Sequence, residues 1–236
     1  MIPVGVEAPW RRSYVTLLLI AVNVAVYAYL VLQGPAAYVQ AIVELGLRPM
    51  DLLRGTRLHT LATSMFLHGD LIHLLGNMLY LYVFGRAVEA RMGSLRFLAF
   101  YLACGVAASY IHALVELAAR HPLNIPCVGA SGAISGVLGA YLLLYPRSSV
   151  SIVALSLLGF PQVLTVPAAL FLAAWFLFQL WLGLATLALP YAVGVAFWAH
   201  VGGFVAGLLM ATPFRRRRRV VFSGRIWYEV PIQVLG

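Results

Sequence analysis

Five apolar runs, at 14–33, 71–90, 95–118, 167–187 and 191–212, set the terms on which this chain folds. Each is long enough to cross the roughly 30 Å hydrocarbon core of a bilayer. In hydrocarbon a single segment must satisfy its own backbone N–H and C=O groups, so runs of this kind become helices. A shorter run, from about Ser131 to Tyr145, stops at Pro146 and adds a sixth. Composition closes off a soluble alternative: 63% of the 236 residues are hydrophobic, and 7 acidic side chains are too few to solvate such a globule. The expected fold class is all-α: a polytopic membrane protein whose six transmembrane helices form one bundle.

All 16 basic residues are Arg, and the formal charge is +9. The arginines flank apolar runs, so they read as topological anchors and no nucleic-acid partner is expected. Six crossings put both termini on one side. Arg11, Arg12, Arg86, Arg91, Arg96, Arg147 and the run 215–219 then share that side, against Arg48, Arg54, Arg57 and Arg120 opposite. Positive residues gather in the cytoplasm, so both termini are expected there, with the plasma membrane of a prokaryote as the expected location. The domain reading is a cytoplasmic segment 1–13, a six-helix membrane domain 14–213, and a basic cytoplasmic tail 214–236 suited to a phospholipid surface. No secretory cleavage pattern precedes the first run, which is expected to be retained. Residues 34–70 are too long and amphipathic for a turn and are expected to form short interfacial helices. Residues 147–165 read as an interfacial loop, and 220–236 as either a small hairpin or disorder. Cys104 and Cys127 read as packing residues.

The short sixth run carries the chemistry. Ser131 to Tyr145 rises only about 21 Å. With Tyr145 near the cytoplasmic surface, Ser131 starts below the outer surface, and the irregular chain before it, with Pro126 and Gly129, lies at membrane depth. Such backbone is tolerated only against protein or water, so a wet, protein-lined cavity opening outward is expected. His200, past Pro190 on the last span, lies about 15 Å down, and an ionisable group at that depth points to function. Gly132, Gly136 and Gly139 on one span, and Gly202, Gly203 and Gly207 on the other, allow close approach.

Small-residue stripes are usually only packing, and a membrane histidine is about as often satisfied by a carbonyl; it is the pairing that carries meaning. A serine hydroxyl is a weak nucleophile that needs a neighbouring base. Ser131 is the expected nucleophile and His200 the expected general base. His73 and Asn77 stand one turn apart. With the free N–H groups at the helix start at Ser131, they are candidate donors to an oxyanion, although polar glue between helices is the bland reading. His68 is expected to support the loop beneath 34–70. Asp51, Asp70 and Glu116 fall near the outer boundary and Glu89 is cytoplasmic, so a Ser-His dyad without an acid is expected. There is no His-Glu-x-x-His pair, His68 and His73 have the wrong spacing for zinc, and no two aspartates sit inside spans. No metal or other cofactor is expected.

Together these pieces resemble the rhomboid family of intramembrane serine proteases. The match consists of Gly129-x-Ser131-Gly132, His200-x-Gly202-Gly203-x-x-x-Gly207, His68 with His73-x-x-x-Asn77, and Glu89-x-x-x-Gly93-Ser94 before Arg96-Phe97, in family order over about 14–213. The resemblance implies a six-helix rhomboid-like bundle, Ser131 as nucleophile and His200 as base. It also implies an oxyanion site made by His73, Asn77 and the Ser131 amide. Single-span membrane proteins in the lipid bilayer are the implied substrates, reaching the site through a lateral gate at the fifth span and the loop after it. Two places depart from the pattern. His59-Thr60 stand where many members have Trp-Arg, leaving Arg57 or Arg54 to anchor the first outer loop. Ser135 stands where some members carry an aromatic that stacks on the histidine. The rival readings are a rhomboid-fold protein that binds membrane helices without cutting them, and, further off, a transporter, which would call for inverted repeats.

Overall fold

The computed structural model describes residues 2–7, 13–156, 159–188 and 194–214, and as backbone only residue 155 with 218–223 and 226–231. Features expected at Arg11, Arg12, Pro190 and Arg215–Arg217 lie outside these residues. The chain runs through α1 (Tyr14–Leu32), then α2 (Pro35–Leu45), α3 (Pro49–Leu53) and α4 (Thr60–Thr63), which are the short helices expected over 34–70. α5 (Leu71–Tyr80) continues through a π-helical segment, Leu81–Gly85, into α6 (Arg86–Met92). There follow α7 (Ser94–Ala118), α8 (Ser131–Leu144), α9 (Ala168–Thr186) and α10 (Phe197–Phe214). Among the described residues five helical stretches are long and apolar enough to cross a membrane: Tyr14–Leu32, Leu71–Met92, Ser94–Ala118, Ala168–Thr186 and Phe197–Phe214. α8 is the shorter sixth.

α8 runs through the middle, and Gly132 to Tyr141 are all buried. Lipid is as apolar as these side chains, so close packing rather than the hydrophobic effect must hold α8 in place. Its glycines meet backbone. A Cβ at Gly203 would strike the Gly132 carbonyl, one at Gly207 the Gly136 carbonyl, and one at Gly139 the Phe204 carbonyl. On the other side a Cβ at Gly132 would lie 2.8 Å from that of Ala108 on α7. The two stripes read from the sequence are thus one seam between α8 and α10. Phe84, Phe97, Phe100, Tyr101 and Tyr141 fill the core beside it.

Residues 147–165 are not the loop expected. They form most of a hairpin, β2 (Ser149–Leu155) and β3 (Pro161–Pro167), which joins β1 (Ile2–Val6) in an antiparallel sheet of order β1-β2-β3. The cause is a period of two: Val150 and Ile152 are buried while Ser149, Ser151 and Val153 are only half-buried. Pairing Ile2 with Val153 holds the start of the chain and the α8–α9 connection at one end of the bundle, as an even number of crossings between them requires. The tail resolves to the hairpin alternative, β4 (Arg218–Ser223) against β5 (Ile226–Pro231). At the sheet end Glu89 is buried and accepts from Val15 N (3.0 Å), Thr16 N (2.8 Å), Thr16 Oγ1 (2.7 Å) and Ser94 Oγ (2.6 Å). One carboxylate thereby caps the first turn of α1, where the helix dipole favours negative charge, and ties it to the hydroxyl of the first residue of α7.

Candidate active site

Ser131 is the first residue of α8. The irregular chain leading to it is satisfied by protein, as its depth demands. Leu47 and Cys127 exchange both main-chain bonds (3.0 and 2.7 Å), Met50 N donates to Leu123 O (2.9 Å), and Gly129 N donates to Ser64 O (2.9 Å). The segment 34–70 therefore splints the loop before the serine. Gly129 has φ +126°, and a Cβ there would sit 2.8 Å from His73 Nε2 and 3.7 Å from Ser131 Oγ. Only glycine fits, because that spot is space between the imidazole and the hydroxyl. His200 lies in the first turn of α10, which begins at Phe197 after the non-helical residues 194–196, and not well along a helix begun at 191 as expected.

The structure brings Ser131 and His200 together: Oγ is 2.9 Å from Nε2. It also supplies a partner that the sequence reading passed over. His200 Nδ1 lies 2.8 Å from Oε1 of Gln179 on α9. Gln179 is a lone amide in an apolar helix and is itself buried, and that isolation was the signal available to find it. The second imidazole is poised the other way. His73 Nδ1 accepts from Gly69 N (3.2 Å), so in the neutral ring the proton sits on Nε2, beside Gly129 and Ser131. Asp70 accepts from His73 N (2.8 Å) and caps α5. Asn77 is close by, with Nδ2 donating to the His73 carbonyl (3.0 Å) and its second N–H left over. Ser135 donates to the Ser131 carbonyl (2.7 Å). In place of an aromatic at 135, Trp175 of α9 lies over His200 with ring centres 6.2 Å apart, and Phe197 meets it edge-on at 6.3 Å.

These groups share a cavity of about 710 Å³ whose walls include Ser131, His200, His73, Asn77 and Trp175. Glu116 also lines it and does not face His200. His121 Nδ1 holds one carboxylate oxygen at 2.8 Å, and His112 Nδ1 is 3.6 Å from the other. Sequence reasoning noted Glu116 only as a boundary residue and missed both histidines. His68 is buried and packs edge-on against His73, with ring centres 5.1 Å apart. Burial, and then the neighbouring His73, push its pKa down to about 4, so it is a neutral support. Arg57, at φ +50°, takes up the anchoring of the first loop: it pairs with Asp51 (3.2 Å) and reaches the Glu44 carbonyl.

A family model described as Rhomboid domain matches residues 55–217. The mitochondrial Rhomboid protein 1 of Saccharomyces cerevisiae is 32% identical over 171 residues, covering 70% of this chain and 46% of that protein. Rhomboid protease GluP of Bacillus subtilis is 35% identical over 127 residues, covering 54% and 24%. The mitochondrial RHOMBOID-like protein 12 of Arabidopsis thaliana is 33% identical over 112 residues, covering 42% and 33%. The chain spans less than half the length of each of these relatives.

Proposed function

Because the chain belongs to the rhomboid family, we propose that it is an intramembrane serine endopeptidase, with Ser131 as nucleophile and His200 as base, that cuts single-span membrane proteins in or near the span. The observation that carries this reading is the 2.9 Å approach of hydroxyl to imidazole inside a cavity. Ser131 Oγ attacks the scissile carbonyl while Nε2 of His200 takes its proton. The Ser131 amide, His73 Nε2–H and the spare Asn77 N–H receive the oxyanion. His200 returns the proton to the leaving amine, and water then hydrolyses the acyl-enzyme by the reverse sequence. Ile72, Gly76 and Tyr80 of α5 and Trp175 of α9 wall the cavity, so the substrate helix reaches it between α5 and α9, unwound at the cleavage point. Gly129, Gly132 and His68 support the site without touching the reacting atoms.

In the same reading 14–213 is the membrane domain, and 1–13 and 214–236 lie together on the cytoplasmic side, which the β1–β2 pairing favours for the first of them. The chain is a multi-pass membrane protein. The prokaryotic plasma membrane expected from the sequence is not supported by the relatives, two of which are mitochondrial by name.

The test is a fluorophosphonate label together with cleavage of a model single-span substrate in proteoliposomes. The parent takes the label and cuts, and Ser131→Ala does neither. A Ser131→Ala protein that cut as fast as the parent would overturn the assignment. A parent that bound the model helix but neither cut nor took the label would belong with the non-cutting helix binders instead.

A further inference from the structure

We infer that Gln179 is a positioning residue for the general base, holding His200 in the tautomer that can accept the Ser131 proton. The inference depends on the Ser131–His200 reading above and extends it to a residue on a third helix. A neutral imidazole has one N–H and one lone pair, and the partner of each nitrogen decides which is which. The Gln179 carbonyl oxygen, 2.8 Å from Nδ1, only accepts. It therefore fixes the proton on Nδ1 and leaves Nε2, 2.9 Å from Ser131 Oγ, with its lone pair toward the hydroxyl. With the amide turned end for end, its NH₂ would donate to Nδ1, force the proton onto Nε2, and disable the base.

The surroundings leave the task to Gln179. Glu116 is held by His121 at 2.8 Å, and among the described residues no hydrogen bond other than those to Gln179 and Ser131 reaches the His200 ring. An amide suits the depth, since an ionised carboxylate there would be costly. α9 is also well placed to deliver it. Trp175, Gln179 and Gly183 follow one another at four-residue spacing. They meet the His200 ring, His200 Nδ1 and the Trp198 indole, whose Nε1 donates to the Gly183 carbonyl at 3.1 Å. The base sits on α10 and its orienting partners sit on α9, so His200 is set only while those two helices stay together.

The test compares Gln179→Leu, Gln179→Met and Gln179→Glu with parent and Ser131→Ala. Readouts are kcat and KM on the model substrate, melting temperature, and the ¹⁵N shifts of the His200 ring in labelled protein. The parent should carry its proton on Nδ1. Leu and Met should lower kcat about 10- to 100-fold with KM little changed, as for loss of an orienting hydrogen bond, and their ring should populate both tautomers. Glu keeps a pure acceptor only while ionised, so at alkaline pH it should restore kcat to within a few-fold and the Nδ1–H signature, and lose both as its carboxyl takes up a proton at lower pH. A parent with its proton on Nε2, full kcat in folded Leu or Met variants, or a folded Glu variant no better than Leu at alkaline pH would each overturn the inference. The parent tautomer decides the matter should the apolar variants not fold. If Ser131→Ala retains activity, the dyad reading itself falls; if it is inactive while Gln179→Leu is unimpaired, only the role of Gln179 falls.

Discussion

At one end of the bundle Glu89 meets the first turns of α1 and α7; at the other, Ser131 opens α8 beside a cavity. Both places put a polar side chain at a buried helix N-terminus, where free N–H groups and the dipole gather positive character. At the Glu89 end four donors converge on one buried carboxylate at 2.6–3.0 Å. At the Ser131 end the donors of His73, Asn77 and the first turn of α8 are aimed around open space of about 710 Å³. A helix start whose donors are consumed serves stability; one whose donors surround open space is what the proposed reaction needs for its transient charge. The α8–α10 glycine seam connects the two ends.

The sharpest way to break this contrast is to part the seam itself. Gly207→Val would drive a side chain into the Gly136 carbonyl, a backbone atom with nowhere to go. It should cost about 4 kcal/mol or more and lower the melting temperature in detergent by about 10 °C or prevent accumulation. A variant melting like the parent would mean the seam is not in contact. Next, Ser131→Ala and His200→Ala should each cut kcat at least about a thousandfold while melting within about 2 °C of the parent; a matching fall in stability would erase the distinction between the ends. Asn77→Ala should lower kcat about a hundredfold as one oxyanion donor is lost, seen in turnover on the model substrate with little change in melting. Glu89→Gln is the mirror experiment: about 2 kcal/mol of stability lost, with kcat per folded molecule unchanged.

A separate test sharpens the comparison through pH. His68, held at about 4 in the folded chain against an ordinary 6.5, binds its proton later than the unfolded chain does. Its contribution to stability is therefore present above about pH 6.5 and lost as pH falls toward about 4. His68→Phe should flatten that part of the stability profile, measured as melting temperature against pH, and an unchanged slope would remove His68 from the account.

Much of this was legible in the sequence for reasons that can be named. Ser131 and His200 stood out because a hydroxyl between glycines and an imidazole in hydrocarbon are each expensive without a partner. Glu89 could be assigned to a boundary by its arginine neighbours, although not to two helix starts at once. Gln179 was visible as a polar residue in an apolar run, but an amide 21 residues before a histidine reveals nothing about their meeting until the crossing of α9 and α10 is known. The β2–β3 hairpin escaped because a few Ser-Val-Ser-Ile residues suit loop or strand equally, and what decides is pairing with Ile2–Val6 at the far end of the chain.

Hydrocarbon makes strong demands on local sequence: span length, small residues where helices touch, arginines at the edges. Those demands act residue by residue, so the helical membrane bundle and the Ser131–His200 pair, proposed here as nucleophile and base, could be read directly. Hydrogen-bond direction is different, because it depends on ångström-scale placement of groups distant in the chain. Only the folded arrangement decided that Gln179 rather than an acid faces His200, that Nδ1 of His73 meets a donor while Nδ1 of His200 meets an acceptor, and that strands close the Glu89 end.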